Sequence, residues 1–112
     1  MMCEQGELIE LDFDPTFGHE PAKRRPALVV SDGYFNNVLS SLTVVCPITS
    51  IANGHPLHAE ITGAAWSRDV CLEQIRSLGL SVPARSARKL GAFLDEATMT
   101  RVLDGLGAIF GI

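Results

Sequence analysis

The sequence predicts a mainly β fold: a small, strongly bent barrel with one helix at its C-terminal end. Two observations carry this. Five or six short apolar segments follow one another between residues 7 and 93, most of them set off by turn residues such as Gly, Pro, Asn and Asp. Behind them lies a stretch of helical period, in which Met99, Val102, Leu103, Leu106 and Phe110 recur at i, i+3, i+4, i+7 and i+11. A chain of 112 residues is read as one domain, 1–112, long enough for a single core.

The first strand runs from Glu7 to Phe13, with Ile9, Leu11 and Phe13 on one face and Glu10 and Asp12 on the other, a half-buried pattern. Asp14-Pro15-Thr16-Phe17-Gly18 turns the chain. Pro26 to Ser31 forms the second strand, and Asp32 to Asn37 a loop or short helical turn. Leu42 to Ile48 is the third, with Pro47 suggesting a sheet edge or a termination. After the Asn53-Gly54 turn, Leu57, Ala59 and Ile61 alternate with His58, Glu60 and Thr62 in a fourth strand, which makes His58 an exposed strand residue. Asp69 to Ile75 reads as a fifth, with Cys71, Glu73 and Ile75 on one face. Ser81 to Ser86 is irregular or one helical turn, and Lys89 to Phe93 a last short strand. Asp95 suits the N-cap of the helix, with Leu94 and Met99 as a hydrophobic staple. Gly105 and Gly107 each weaken its interior by about 1 kcal/mol relative to alanine, so packing has to compensate.

Composition narrows the function. An apolar share of 46% and a charged share of 20% describe an ordinary globular chain. No run of eighteen apolar residues exists to span a membrane, and the first residues lack the pattern of a signal peptide, so cytoplasm is expected. Cys3, Cys46 and Cys71 form neither a zinc pattern nor a disulfide framework, and Cys46 and Cys71 read as small core residues in a reducing compartment. The net charge of −4 argues mildly against nucleic acid. Its distribution matters more. Six carboxylates fall in the first 20 residues, Lys23, Arg24 and Arg25 follow at once, and Arg85, Arg88 and Lys89 make a second basic cluster. A dipolar surface of this kind can hold phosphate locally.

The stretch from Gly18 to Ser31 concentrates the chemistry. An imidazole, a carboxylate and three consecutive cations precede an apolar strand, and Pro26 pushes Arg25 out of the helical region. A guanidinium held extended at the mouth of a rigid strand is well placed to bind an anion. His55, His58 and Glu60 have poor convergence for a metal, so no metal site and no cofactor are expected.

Asp12-Phe13-Asp14-Pro15-Thr16, Gly18-His19-Glu20 and Arg25-Pro26-Ala27-Leu28-Val29-Val30-Ser31 closely resemble the MazF/PemK (Kid) toxins of bacterial toxin–antitoxin modules. The resemblance continues through Phe35-Asn36, Val45-Cys46-Pro47-Ile48-Thr49-Ser50 and Leu72-Glu73-Gln74-Ile75-Arg76-Ser77, in order along the chain. It implies a small SH3-like barrel of the MazF/PemK/CcdB type, a homodimer, and a metal-independent endoribonuclease specific for a word in single-stranded RNA such as mRNA. A cognate antitoxin with an acidic C-terminal tail would neutralise it.

Cleavage without metal needs a base for the 2′-OH proton, an acid for the leaving 5′-oxygen, and donors for the developing phosphorane charge. The products are a 2′,3′-cyclic phosphate and a 5′-OH. Arg25 and Thr49 match the family's most characteristic active-site positions, Arg25 as the phosphate clamp and Thr49, seconded by Ser50, as a hydroxyl donor. His19 matches the histidine of the Gly-His-Glu loop variant, against its plainer reading as a solvated loop residue. Glu73 matches an acidic position proposed as base, and on a strand face beside Cys71 it would be buried. Some relatives carry an arginine where this chain has Cys71, so which group is acid and which is base stays open.

Glu20 reads as a salt-bridge partner that orients Arg25. Lys23 and Arg24 supply charge for RNA or for an acidic tail. Phe17 and Tyr34 either stack bases or pack, and Gln74 either reads a base edge or satisfies barrel backbone. A second class of reading remains. Ile109-Phe110-Gly111-Ile112 faintly resembles the C-terminus of the CcdB gyrase poisons, and a catalytically silent binding barrel is a third.

Overall fold

The structure is a computed structural model and describes residues 1–14, 24–50, 57–62 and 67–112. Among the described residues, seven strands and one α-helix follow in order: β1 (Glu7–Asp12), β2 (Arg24–Val29), β3 (Thr43–Thr49), β4 (His58–Thr62), β5 (Ser67–Cys71), β6 (Arg76–Leu78), β7 (Arg88–Phe93) and α1 (Glu96–Phe110). The strands form one antiparallel sheet in the order β4-β5-β3-β2-β1-β7, with β6 paired to β3 beside β5.

β1 is not half-buried. Ile9, Leu11 and Phe13 enter one cluster with Ala27, Val29, Val45 and Leu78, while Leu8 joins Leu28, Cys46, Ile48 and Val70 under the helix on the opposite face. Both faces of the central strands are covered, so even the polar Glu7 and Asp12 are buried. Lys89 reaches Glu7 at 3.5 Å, and Asp12 accepts the Asp14 N–H to open the turn that follows.

Pro47 lies in the interior of the sheet, not at its edge. One side of β3 carries β2, with Ala27 opposite Pro47. The other side carries β6 along Thr43–Val45 and β5 along Ile48–Thr49. The proline, which has no N–H to give, stands where one neighbour hands over to the other.

α1 starts at Asp95, whose carboxylate accepts the Thr98 N–H at 2.9 Å and the Thr98 hydroxyl at 2.7 Å. It ends at Gly111 in the left-handed region, where the Gly111 and Ile112 N–H groups bond back to Ala108 and Gly107. Met99, Val102 and Leu106 pack on the sheet, with Leu94 beside them. Leu103 and Phe110, from the same predicted stripe, stay exposed because one sheet face covers only part of its width. Gly105 has a specific reason: a Cβ there would lie 2.4 Å from Leu72 Cδ1. The helix and the turn after β5 touch at that point.

Candidate active site

Strand register assembles the site. Ala27 faces Pro47, and two residues further along each strand come Arg25 and Thr49, on the same face of the pleat. Thr49 pairs with Asp69 on β5, and Cys71, two residues on, pairs with His58 on β4. Arg25, Thr49, Asp69, Cys71 and His58 therefore share one face at one end of the sheet, the face away from α1.

Arg25 is already within β2, opposite Leu11, and its guanidinium lies over the Phe13 ring at 5.9 Å. Arg76 of β6 lies over the same ring at 5.7 Å and donates to Asp14 at 3.2 Å. One aromatic side chain thus carries two guanidinium groups at the border of the site. Neither Phe13 nor Arg76 was singled out from the sequence, because their meeting depends on β3 bringing β2 and β6 together.

Glu73 is not on a buried strand face. β5 stops at Cys71, and Leu72–Gln74 makes one 3-10 turn that leaves Glu73 and Gln74 exposed. Leu72 alone turns inward to the core. Glu73 Oε1 is 3.0 Å from His58 Nε2, and His58 Nδ1 is 3.3 Å from Asp69 Oδ2. His58 is consequently largely buried and held between two carboxylates, unlike the exposed strand residue expected. A buried aspartate and a histidine eleven residues away in sequence share no local signature. Only the β4–β5 pairing joins them.

Cys71 has one cation, Arg25, near it in space though none beside it in sequence. Burial pushes its thiol up, with Glu73 and Asp69 adding to the rise, while Arg25 and the Thr49 backbone N–H pull the other way. Cys46, deeper in the core, is pushed up to about 12, mainly by burial. All three cysteines are thiols in no disulfide.

Arg24 does not join Arg25. Alternation turns it to the other face, where its Nε donates to Glu10 Oε1 at 2.7 Å and Arg88 contacts the same oxygen at 3.2 Å. The two guanidinium groups hold the Glu10 carboxyl below its usual range, Arg24 contributing most. Arg85 donates to the Asp12 and Phe13 carbonyls, so the second basic cluster serves the acidic N-terminal strand and its turn. Ser50 follows β3 at the surface. Tyr34 lies beyond the opposite end of β2 from Arg25. Phe17, His19, Glu20, Lys23 and His55 lie outside the described residues.

A guanidinium, a hydroxyl and a carboxylate–imidazole–carboxylate chain on one sheet end form a site that can bind an anion and move a proton beside it. On a small bent antiparallel sheet with a C-terminal helix, that combination defines a compact β-fold protein acting on a charged substrate.

The comparisons with known proteins narrow the class. The profile of the "PemK-like, MazF-like toxin of type II toxin-antitoxin system" family matches residues 4–110. The chain is 33% identical over 93 residues to the endoribonuclease toxin MazF of Escherichia coli (strain K12), covering 83% of this chain and 81% of that protein. It is 33% identical over 111 residues to the endoribonuclease PemK of Escherichia coli, covering 95% and 80%. The crystal structure of MazE-MazF (Form-II) from Deinococcus radiodurans superposes with a TM-score of 0.84 at 34% identity, over 100% of this chain and 98% of that one. The chain belongs to the PemK-like, MazF-like toxin family of type II toxin–antitoxin systems.

Proposed function

We propose that this chain is an endoribonuclease that cuts single-stranded RNA, mRNA included, at a specific word without a metal cofactor, leaving 2′,3′-cyclic phosphate and 5′-OH ends. The observation that carries the reading is the shared face of Arg25, Thr49 and the Asp69–His58–Glu73 chain.

Each catalytic demand has a residue to meet it. Arg25 and the Thr49 hydroxyl neutralise the non-bridging oxygens as the phosphorane forms. Glu73, exposed at the rim, takes the 2′-OH proton. His58 lends a proton to the leaving 5′-oxygen, with Asp69 fixing its ring. His19, from the segment between β1 and β2 in sequence, is the alternative acid. Arg76 beside Arg25 extends the phosphate track, Ser50 and Gln74 border it, and Phe17, Glu20 and Lys23 are further candidates for RNA contact on sequence grounds.

The working unit is a two-fold dimer with one Arg25 on either side of a shared groove. β7 is exposed along its length, and α1 leaves Ile109 and Phe110 at the surface, an apolar area for a second copy to cover. MazE-MazF crystal structures among the relatives support an antitoxin partner. The expected contact is a disordered acidic tail folding along the groove and competing with RNA. No helix of the described residues is long and apolar enough to cross a membrane, and an RNA substrate suits action in the cytoplasm.

Arg25→Ala tests the assignment. Cleavage of a long transcript should disappear while circular dichroism is unchanged, and excess chelator should leave the parent's rate intact. Parent-like cleavage by the variant would remove Arg25 from the active site, and loss of cleavage with chelator would remove the metal-free mechanism. Sequencing the 5′-OH ends identifies the RNA word.

A further inference from the structure

His58, Cys71 and Glu73 bring an imidazole nitrogen, a thiol sulfur and a carboxylate oxygen within 4.8 Å of one another. This is a different set from His55, His58 and Glu60, which sequence spacing alone put together. Two structural facts hold it. His58 and Cys71 are direct partners across β4 and β5, and Glu73 sits on the turn that immediately follows β5.

The imidazole is oriented for a cation. Its Nδ1 lies 3.3 Å from Asp69 Oδ2, and its Nε2 3.0 Å from Glu73 Oε1. In the tautomer that donates Nδ1–H to Asp69, Nε2 keeps its lone pair toward the Glu73 oxygen, and a cation can take the place of the proton that otherwise bridges that 3.0 Å contact. Zinc, bound at 2.0–2.2 Å by nitrogen and oxygen, holds two such ligands roughly 3.3 Å apart. A small outward movement of Glu73 from its present 3.0 Å meets that spacing. Asp69, with a side chain only 5% exposed, is the outer carboxylate that fixes the tautomer and orientation of a metal-binding histidine.

We propose that His58 Nε2, Cys71 Sγ and Glu73 Oε1 form a binding site for a thiophilic divalent cation, Zn²⁺ first among them, and that its occupancy blocks RNA cleavage. Only the second half rests on the ribonuclease reading. On binding, Zn²⁺ displaces the Cys71 thiol proton to solvent and forms a Zn–S bond, while Nε2 and Oε1 each donate an electron pair. No oxidant or reductant is needed. The thiolate and carboxylate together cancel the ion's charge, and water completes a tetrahedral shell. The Glu73 side chain is 29% exposed, which gives the ion an entrance from solvent. Once bound, the ion withdraws Glu73 and His58 from proton transfer, next to the Arg25 and Thr49 groups that already act on the Cys71 sulfur.

The test uses the full chain stripped of metal by chelator and dialysis. Titration with Co²⁺ should give one equivalent bound with a thiolate-to-cobalt charge-transfer band, which Zn²⁺ then erases. Cys71→Ser should lose the band and bind Zn²⁺ about a hundredfold more weakly, at least what loss of an outer-shell partner costs. Glu73→Gln, on an exposed turn, should also weaken Zn²⁺ binding and keeps the test decisive if the Cys71 variant does not fold. In cleavage assays, stoichiometric Zn²⁺ should silence the parent, chelator should restore it, and the ratio of rates with and without Zn²⁺ should approach one in Cys71→Ser. Co²⁺ binding without the charge-transfer band, or Zn²⁺ affinity unchanged in both variants, overturns the site. Tight Zn²⁺ binding with undiminished cleavage overturns the inhibitory role. A parent that never cuts RNA refutes the ribonuclease reading, while the Co²⁺ titration still decides the site.

Discussion

Replacing Gly105 and Gly107 separately by alanine isolates the contact that ties the helix to the Glu73 turn. Both glycines lie inside α1, so each alanine gains about 1 kcal/mol of helix propensity. Their surroundings differ. At Gly107 the new methyl meets only the Ile112 carbonyl at 3.5 Å, an ordinary contact. At Gly105 it lands 2.4 Å from Leu72 Cδ1, and Leu72 is 3% exposed, packed in the core with no open side to retreat to. Overpacking of this kind costs about 1–3 kcal/mol. Because the propensity gain is common to both, Gly107→Ala should be the more stable variant by about that same 1–3 kcal/mol. Urea unfolding, read as a shift in midpoint at constant m-value, measures the gap. In a Leu72→Ala background the gap should close. The same displacement of Leu72 moves its neighbour Glu73, so Gly105→Ala should also cut RNA more slowly than Gly107→Ala. Equal stability of the two single variants would refute the packing of α1 against the turn.

Three further outcomes are expected. Asp95 and Glu10 have carboxyls held below their usual values, Asp95 chiefly by its bonds from Thr98 and Glu10 chiefly by Arg24. Their stabilising effect is full above the unfolded values of about 4 and is lost as pH falls through the depressed folded values, so the urea midpoint should drop below pH ~4. Glu10→Gln and Asp95→Asn should each flatten that drop, and an unaltered acid profile in both would discount these pairings. Sedimentation at micromolar concentration should give a dimer, and a 12.1 kDa monomer would count against the shared groove. A peptide from an acidic antitoxin tail should compete with RNA, both affinities falling with salt and the RNA's more steeply if it makes more phosphate contacts. A tail that binds without blocking cleavage would contradict the competitive arrangement.

The sequence by itself determined most of the strands, the helix and the family, because these are written in local signals, while β6 (Arg76–Leu78) was not marked by it. Period-two alternation marked β1 and β4, the i, i+3, i+4 stripe marked α1, and Asp95 announced the helix start through chemistry confined to a few residues. The extended backbone at Arg25 was legible for the same reason, since Pro26 restrains it directly. The tertiary structure alone decided which side chains meet. Arg24 and Arg25 are adjacent in sequence, yet the pleat sends one to Glu10 and the other over Phe13. Pro47 looked like an edge residue until β5 and β6 were found sharing one side of β3. Glu73 looked buried because a strand was carried through a turn that begins at Leu72. His58, Asp69 and Cys71 carried no motif that joins them. Their union depends on the register of β3, β4 and β5, and register is set by the packing of both sheet faces, which no short window of sequence contains.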